Sequence, residues 1–429
     1  FLNIKFEFES RSGYIFLLMI EFQKKTLSNG LTVIAHTDMA TPMASVNVLY
    51  KVGSRDENPD HTGLAHLMEH LMFAGSANVA DFDIPLQKAG GENNAFTNND
   101  YTNYYITLPV SNIRTALWVE SDRMRGLTLS TESLEVQRKV VKEEYAERYE
   151  NEPYGDLWSV LRPLCYGARH PYSWPTIGRN KDHIDSITYA SICDFYNKFY
   201  QPCNAILSIA APLPEAEIIA LAQQWFGDIG NTDQKIDPIV FPAVGDCSEL
   251  TVQRDVPSSV IYICFATPGR VSDQVTVLDV VSDILSEGAS GRLLQRLVKQ
   301  RPLFSSVNAY ISGDEGPGLF VVTGRLMEST TMAEAEKALW DELREMASEL
   351  VSDYELQKVR NKAVANDMFA SINSMNKAMN LAYYEFLGSA GWINDQIARH
   401  HAVSAEQIRA AVDELLVPER AYTLHYLKK

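Results

Sequence analysis

The residues best suited to chemistry lie in the stretch "HTGLAHLMEHLMFAGS", which begins at His61. His66 and His70 are four residues apart, with Glu69 between them. Residues four apart share one face of a helix, so both imidazoles could bind one metal ion. Zinc held by two histidines and a third protein ligand keeps a position for water, whose pKa falls toward about 7. Glu69 could accept the proton of that water, so the stretch is a candidate zinc hydrolase site.

A histidine pair at this spacing also occurs on helices where the rings only pack or face solvent. The full pattern His66-x-x-Glu69-His70 is more specific, because it is the inverted-zincin arrangement HxxEH. The remaining histidines are isolated, or doubled without a carboxylate pattern, and we expect them to be structural: His36, His61, His170, His183, His400, His401 and His425.

Several elements must position this cluster. Residues 23–52 predict two strands, and the cluster lies on the helix that follows. The segment "GGENNAFTNNDYTNYYITL" is rich in Gly and Asn and then in β-branched and aromatic residues, which predicts a turn and strands. The stretch "STESLEVQRKVVKEEYAERYEN" predicts a helix with Thr131 as its N-cap.

The second half of the chain repeats the first weakly. "LTVIAHTDMATPMASVNVLYKVG" at Leu31 has an echo in "LTVQRDVPSSVIYICFATPG" at Leu250, and an apolar helix follows each. The second copy carries Asp279, Ser282 and Asp283 near the positions of the histidine cluster. The sequence therefore predicts an α+β fold of two homologous domains, each an antiparallel sheet with helices packed on one face.

The 429 residues are too many for one ordinary core, which also favours two domains. We predict an N-terminal extension over residues 1–22 and a domain that carries the candidate zinc site over residues 23–232. A linker rich in Asp, Pro and Gly follows over 233–247, and a homologous domain without metal ligands covers 248–429. The apolar run from Tyr14 to Ile20 lacks a small-residue cleavage site, which favours a first strand or a disordered extension over a secretion signal.

The composition of the chain limits which kinds of partner and which cellular locations are expected. The formal net charge of −17 argues against nucleic acid, because phosphate backbones select basic surfaces. The five cysteines never form a CxxC pair, which favours a reducing compartment. No stretch approaches the roughly 20 apolar residues of a membrane span. We expect a cytoplasmic location, or a periplasmic or exported one if a signal has been removed.

On the HxxEH pattern the chain resembles the pitrilysin/insulinase family of zinc metallopeptidases, and within it the half-length chains similar to mitochondrial processing peptidase. In that family the third ligand is a Glu on a later helix, within a pattern like E/Q-R-x-V-V-x-x-E. The matching segment here is "QRKVVKEE", from Gln137 to Glu144. The resemblance therefore implies that Zn²⁺ is bound by His66, His70 and Glu144. Gln137 and Glu147 are expected to support the ligands without binding the metal.

The resemblance also implies a strand beside the zinc on which an extended peptide pairs as an added strand. The matching residues are Asn94, Ala95, Phe96 and Thr97. An edge strand offers main-chain hydrogen bonds to any peptide, so it can bind a substrate without reading its sequence.

The chain departs from the family at one point. Active members use an Arg and a Tyr, seven residues apart, to hold the substrate and the developing oxyanion. In "LLQRLVKQRPLFSSV" those positions hold Val298 and Ser305, while Arg296 and Arg301 are out of register. In heterodimeric relatives a paralogous partner supplies this pair. We therefore expect a homodimer or a heterodimer with a paralogous subunit that provides the Arg/Tyr pair.

These observations predict a zinc endopeptidase that hydrolyses unfolded peptides or short polypeptides, with Glu69 activating the water, as the catalytic subunit of a dimeric chamber. Two alternatives stay open: a non-catalytic subunit of the same fold, and a peptide-binding or assembly module that carries zinc without hydrolysis.

Overall fold

The computed structural model of the chain describes residues 19–313 and 315–429. Most of the predicted N-terminal extension, including the run from Tyr14 to Leu18, lies outside the described residues. In the part of the chain that is described, no helix is both long and apolar enough to cross a bilayer.

The first half of the described chain builds a six-stranded sheet in the order β1-β2-β6-β3-β5-β4. β2 and β6 run parallel, and every other neighbouring pair is antiparallel. β4 therefore lies at one edge, beside the helix that carries the histidine cluster. The strands are β1 Gln23–Thr26, β2 Thr32–Thr37, β3 Met43–Tyr50, β4 Glu92–Thr97, β5 Thr102–Pro109 and β6 Ala205–Ala211.

The second half builds a five-stranded sheet in the order β7-β11-β8-β10-β9. β7 and β11 run parallel, and the other pairs are antiparallel. Apart from β1, the two sheets have the same arrangement, with β9 at the edge that β4 occupies in the first. The strands are β7 Glu249–Arg254, β8 Val260–Thr267, β9 Phe304–Ser312, β10 Gly318–Leu326 and β11 Ala421–Lys428.

The order of helices relative to strands along the chain is similar in the two halves. In the described residues they are α1 Leu64–Leu71, α2 Asp83–Lys88, α3 Ile113–Arg125, α4 Thr131–Tyr145, α5 Leu157–Tyr166, α6 Lys181–Ser186, α7 Tyr189–Phe199, α8 Glu215–Phe226, α9 Asp273–Ser286, α10 Met332–Ser348, α11 Asp353–Ala370, α12 Ser374–Leu387, α13 Gln396–Ala402 and α14 Ala405–Leu415.

Period-two alternation in the strands separates two apolar faces on each sheet. On the first sheet, Val46 and Val48 of β3 face the main core with α1, α3 and α7. On the second sheet, Ile263 of β8 and Val322 of β10 face α9, α10 and α14. Each half therefore has a core of its own, as the predicted α+β class requires.

The opposite face of each sheet is covered by a helix from the other half. α5 packs Leu161 and Cys165 against Cys264 of β8 and Leu424 of β11. α12 in turn packs on β3 and β6, with Leu381 against the first sheet. The α+β class and the two matching sheets are confirmed, with two additions to the predicted layout: a parallel pair in each sheet, and a second helical layer exchanged between the halves. The predicted domain boundaries stay a prediction.

Candidate metal centre

The helix α1 carries the HxxEH pattern, and a buried carboxylate fixes where it begins. Glu57 accepts hydrogen bonds from the backbone amides of Gly63 (3.0 Å) and Ala65 (2.7 Å), and from the indole of Trp174 (3.0 Å). Amides at a helix N-terminus have no partner within the helix, so an acceptor there stabilises its start. Burial raises the pKa of Glu57 to about 8, although the three donors act to lower it. The sequence analysis did not identify Glu57.

Gly63 lies at the N-cap of α1 with φ of +98°, a left-handed conformation that favours glycine. A Cβ atom at this position would also lie 2.6 Å from the carbonyl oxygen of Ile177. The positive φ and the close approach of Ile177 both restrict position 63 to glycine. The backbone at Gly63 therefore sets the direction from which the chain enters α1.

The 3.6-residue period divides α1 into two faces. Ala65, Leu67, Met68 and Leu71 are buried in the core of the first half. The cluster residues project from the remaining face and are only half-buried. Packing of the apolar face therefore sets the direction in which both imidazoles point.

The helix α4 supplies the third predicted ligand. Ser130 caps its N-terminus by accepting from the amide of Ser133 (3.0 Å), so the cap lies one residue before the predicted Thr131. Leu134 and Val141 are buried and orient the helix toward α1. Glu144 falls on the inner side near the end of α4, whereas Glu143 is exposed.

The three predicted ligands come together in space. The Nε2 atoms of His66 and His70 lie 3.7 Å and 3.5 Å from Glu144 Oε2. In the described residues they form the one group of three or more His, Cys, Asp or Glu side chains with donor atoms all within 4.8 Å of one another. Ligands bound tetrahedrally to zinc at 2.0–2.2 Å lie about 3.3–3.6 Å apart. The residues present therefore fit a zinc ion, and their role as ligands stays a prediction.

The electrostatics keep at least one imidazole neutral, as a metal ligand must be. Burial, with the neighbouring His70, lowers the pKa of His66 to about 4. Burial also acts to lower the pKa of His70, but the hydrogen bonds to Glu144 and Gln137 together with the charges of Glu144 and Glu69 raise it. The hydrogen bond with His70 lowers the pKa of Glu144. The Nδ1 atom of His66 is buried without a hydrogen-bond partner among the described residues.

Glu69 points toward the strand β4. Its Oε2 accepts a hydrogen bond of 2.5 Å from the hydroxyl of Thr97, at the end of that strand. Burial raises the pKa of Glu69, and the Thr97 hydrogen bond opposes the shift. Thr97 was predicted as a substrate-binding residue, and the structure places its side chain on the predicted general base.

The other predicted substrate residues lie along the edge strand β4. The backbone amide of Ala95 donates to the side-chain oxygen of Asn94 (2.8 Å), so a local acceptor occupies this amide. The ring of Phe96 lies 5.8 Å from that of Tyr101. One side of β4 pairs with β5, and its other side has no strand neighbour in the described residues.

The two predicted supporting residues behave differently. Gln137 Oε1 lies 3.3 Å from His70 Nδ1, which lets that nitrogen donate and leaves the Nε2 lone pair directed at the cluster. Glu147 is exposed in the π-helical turn Ala146–Asn151, and its supporting role stays a prediction. Arg148 in the same turn has its Nη1 2.9 Å from Glu144 Oε1. The sequence pattern gave no reason to choose Arg148.

The positions aligned with the family's Arg/Tyr pair show no equivalent chemistry. Val298 packs against the core of the second half, and the hydroxyl of Ser305 donates to the carbonyl of Arg325 (3.3 Å). The nearby Arg296 is held by Glu342 (2.8 Å) and Glu345 (2.7 Å).

Comparison with known proteins places this geometry in a family. The family described as Insulinase (Peptidase family M16) matches residues 32–157, and the family described as Peptidase M16 inactive domain matches residues 186–363. The zinc protease PqqE of Helicobacter pylori is 32% identical over 309 residues, which are 70% of this chain and 69% of that protein. An uncharacterized zinc protease of Streptomyces coelicolor is 26% identical over 411 residues, which are 92% and 87% of the two chains.

Solved structures show the same architecture. A protease from Helicobacter pylori superposes with a TM-score of 0.90 at 25% identity, covering 95% of this chain and all of that one. Pitrilysin superposes with a TM-score of 0.79 at 18% identity, covering 95% of this chain but 45% of pitrilysin, and that likeness shows the fold alone. The resemblance inferred from HxxEH is thereby confirmed, and this chain belongs to the insulinase family, peptidase family M16.

Proposed function

We propose that this chain is a zinc-dependent endopeptidase that hydrolyses unfolded peptides or short polypeptides. The observation that carries the proposal is the convergence of His66, His70 and Glu144, with Glu69 held on the same helix beside them. Zinc is the metal proposed because the matched relatives are named zinc proteases and because two imidazoles and one carboxylate are a donor set that suits it.

When bound, a zinc ion supplies a Lewis acid that makes water more acidic and polarises a peptide carbonyl. His66 and His70 present their Nε2 lone pairs, and Arg148 holds the second oxygen of Glu144. Glu69 accepts a proton from the attacking water and transfers it to the leaving amine. Burial raises the pKa of Glu69 toward neutral pH. A general base is most effective when its pKa lies near the working pH.

The substrate is proposed to lie along β4. The unpaired side of this edge strand can form main-chain hydrogen bonds with an extended peptide of any sequence. For the amide of Ala95 to take part, the side chain of Asn94 must first release it. The backbone groups of a folded protein are mostly paired already, whereas those of an unfolded peptide are free to pair with β4, so unfolded peptides are the proposed substrates.

A paralogous subunit or a second copy is proposed to complete the site. Neither Val298 nor Ser305 can hold an oxyanion as an Arg/Tyr pair would, and Arg296 is already paired with two carboxylates. If hydrolysis needs such a pair, it must come from a partner. The alternative function, binding or assembly without hydrolysis, applies if no partner restores cleavage.

The test is the Glu69→Gln variant, assayed with an unstructured fluorogenic peptide alone and with any co-purifying paralogue. We expect about one zinc per chain in both proteins and at least a roughly 10³-fold loss of cleavage in the variant. A chelator should abolish cleavage by the unaltered protein. Full activity in Glu69→Gln would contradict the proposed mechanism, and zinc binding without cleavage under any condition would support the non-hydrolytic alternative.

A further inference from the structure

A cavity of about 200 Å³ lies between the two halves, beside the strand β4. Asn98, Asn99 and Asp100 line it and directly follow the end of β4, and Ser312 lines it from the end of β9. A water molecule takes about 30 Å³ in the liquid, so the space can admit a side chain of several heavy atoms. The cavity therefore lies where one end of a peptide paired with β4 would emerge.

Arg162 of α5 faces this cavity with a guanidinium group that is only partly used. Its Nη1 donates to the carbonyl of Trp174 (2.9 Å), and its Cζ lies 5.7 Å from the centre of the Trp158 ring. No carboxylate in the described residues pairs with it. Burial lowers the pKa of Arg162, and the ionisable groups that act to raise it are the phenols of Tyr166 and Tyr149.

Arg162 is half-buried, and an arginine in such a place usually has an anionic partner, because taking its charge out of water is costly unless the charge is paired. Burial lowers the pKa of Arg162 and thus records this cost. A guanidinium group has a planar set of donors that matches a carboxylate. The donors that Trp174 does not use are therefore available to a carboxylate that enters from the cavity.

The carboxylate of Asp100 also lines the cavity, where donors already hold it. It accepts from Arg55 Nη1 (2.8 Å), from the phenol of Tyr172 and from the amide of Glu315 (3.1 Å). Arg55 also pairs with Glu315 (2.6 Å), so it offsets only part of the negative charge here, and an incoming anion depends on Arg162 for its counter-charge.

The cavity adjoins the strand that contacts the candidate metal centre. Asn98, which lines the cavity, directly follows Thr97, whose hydroxyl donates to Glu69. A peptide group bound in the cavity would thus belong to the same substrate that is cleaved at the metal.

We propose that Arg162 and the cavity that it faces form a subsite for a carboxylate of the peptide substrate, on an acidic side chain or at the C-terminus. The proposal rests on the proposed peptidase function. It adds a preference for peptides with a carboxylate at this position, which main-chain pairing with β4 alone cannot give. The chain's net charge of −17 repels anions only weakly at this point, since salt screens charges farther away than about 8 Å.

The experiment measures peptide binding to the Glu69→Gln protein by fluorescence anisotropy, so that no hydrolysis is needed. The probes are short labelled peptides that carry one Asp at successive positions, the same set with Asn, and each peptide with a free or an amidated C-terminus. We expect one Asp position, or the free C-terminus, to bind about tenfold more tightly than its neutral counterpart. The position of the effect identifies which carboxylate is bound.

Adding Arg162→Met to that protein should abolish the preference while binding of the neutral peptides stays the same. Arg162→Gln serves as a second variant, because its amide can still donate to the carbonyl of Trp174 if the Met variant fails to fold. Arg169→Met is the matched control, since this arginine is exposed and, among the described residues, its ion pair is with exposed Asp60 at 3.4 Å.

Equal binding of acidic and neutral peptides, or a preference that survives the Arg162 variants, would overturn the subsite. A preference that Arg169→Met removes as well would also overturn it. Because binding and cleavage are measured separately, cleavage that survives Glu69→Gln would contradict the proposed function without deciding on the subsite.

Discussion

The two halves of the chain build the same framework and place different chemistry on it. In the first half, α1 presents His66 and His70 to Glu144 of α4. In the second half, α9 presents Asp279 and Asp283, and α11 supplies Lys358 and Lys362 as charges near Asp283. Asp279 pairs with Arg270 at 2.9 Å, and Glu287 pairs with Lys362 at 3.6 Å.

The edge strands of the two halves are more alike than their helices. In β4 the amide of Ala95 donates to Asn94 Oδ1 (2.8 Å), and in β9 the amide of Ala309 donates to Asn308 Oδ1 (2.9 Å). An aromatic residue follows in both strands, Phe96 in one and Tyr310 in the other. The repeated Asn-Ala-aromatic pattern occupies equivalent edge positions of the two sheets.

The comparison shows that the fold determines where side chains are placed, whereas the residue types determine which chemistry is possible there. Two helices meet beside an edge strand in both halves. In the first half, two imidazoles and one carboxylate form a group that can hold a metal ion. In the second half, Asp279 pairs with Arg270 and Asp283 lies near two lysines, and they form no such group among the described residues. The predictions that follow test this difference.

The largest expected effect comes from Glu144→Gln. Removing the charged ligand should lower the zinc content well below one per chain and lower cleavage by about 10² to 10³-fold, because two imidazoles alone hold zinc weakly. Metal analysis and the peptide assay measure both. Glu143→Gln, on the exposed side of the same helix, is the matched control. Loss of zinc from the control but not from Glu144→Gln would reverse the assignment.

The next effect concerns the edge strands. Ala95→Pro removes the outward amide of β4, where a peptide would pair, and should lower kcat/KM for a short peptide by about 10 to 100-fold. Ala309→Pro makes the same change in β9 and should leave kcat/KM within about threefold, provided that thermal melts show both proteins folded. Equal losses in the two variants would mean that the change acts through stability or that both edges bind substrate.

A smaller effect is expected from Thr97→Val, which keeps the shape of the side chain but removes the hydroxyl that holds Glu69. We expect kcat to fall by about tenfold, with zinc content and KM unchanged, because the base loses its orientation. Removing a donor to the carboxylate should also raise the pKa of Glu69, so the acidic limb of the pH–rate profile should move to higher pH. An unchanged pH profile and unchanged kcat would contradict a positioning role for Thr97.

The smallest effect is on stability and belongs to the second half. Burial, with the charges of Asp279 and Glu287, raises the pKa of Asp283 to about 7. Its ionised form is therefore disfavoured in the folded state, and the fold loses stability as pH rises from about 4 to 7. Asp283→Asn should consequently raise the free energy of unfolding at pH 8 by about 1–2 kcal/mol, with little change at pH 4. Urea titrations at the two pH values measure this, and a variant that is less stable at pH 8 would show that Asp283 is stabilised by its lysines.

Some supporting contacts could not be predicted even though they join residues close together in sequence. Glu57 caps α1, and Arg148 holds Glu144 from an irregular turn. A carboxylate or a guanidinium group in the sequence is usually a solvated surface charge, so nothing marked either one. Glu147, chosen from the same acidic stretch, is exposed in the π-helical turn Ala146–Asn151.

The sequence by itself determined which side chains share a helix face. The 3.6-residue period puts His66 and His70 side by side, and the alternation of the strands separates core from edge. The similarity between the segments that begin at Leu31 and at Leu250 was sufficient to predict two matching sheets, because repeated sequence patterns form repeated structural elements.

Only the tertiary structure decided how the halves are joined and what faces the space between them. α5 and α12 each cover the other half's sheet, since the second apolar face of each sheet would otherwise be exposed to water. This exchange places Arg162 of α5 at the cavity beside β4. No local pattern encodes such a contact, because it depends on packing between segments more than 50 residues apart in the chain.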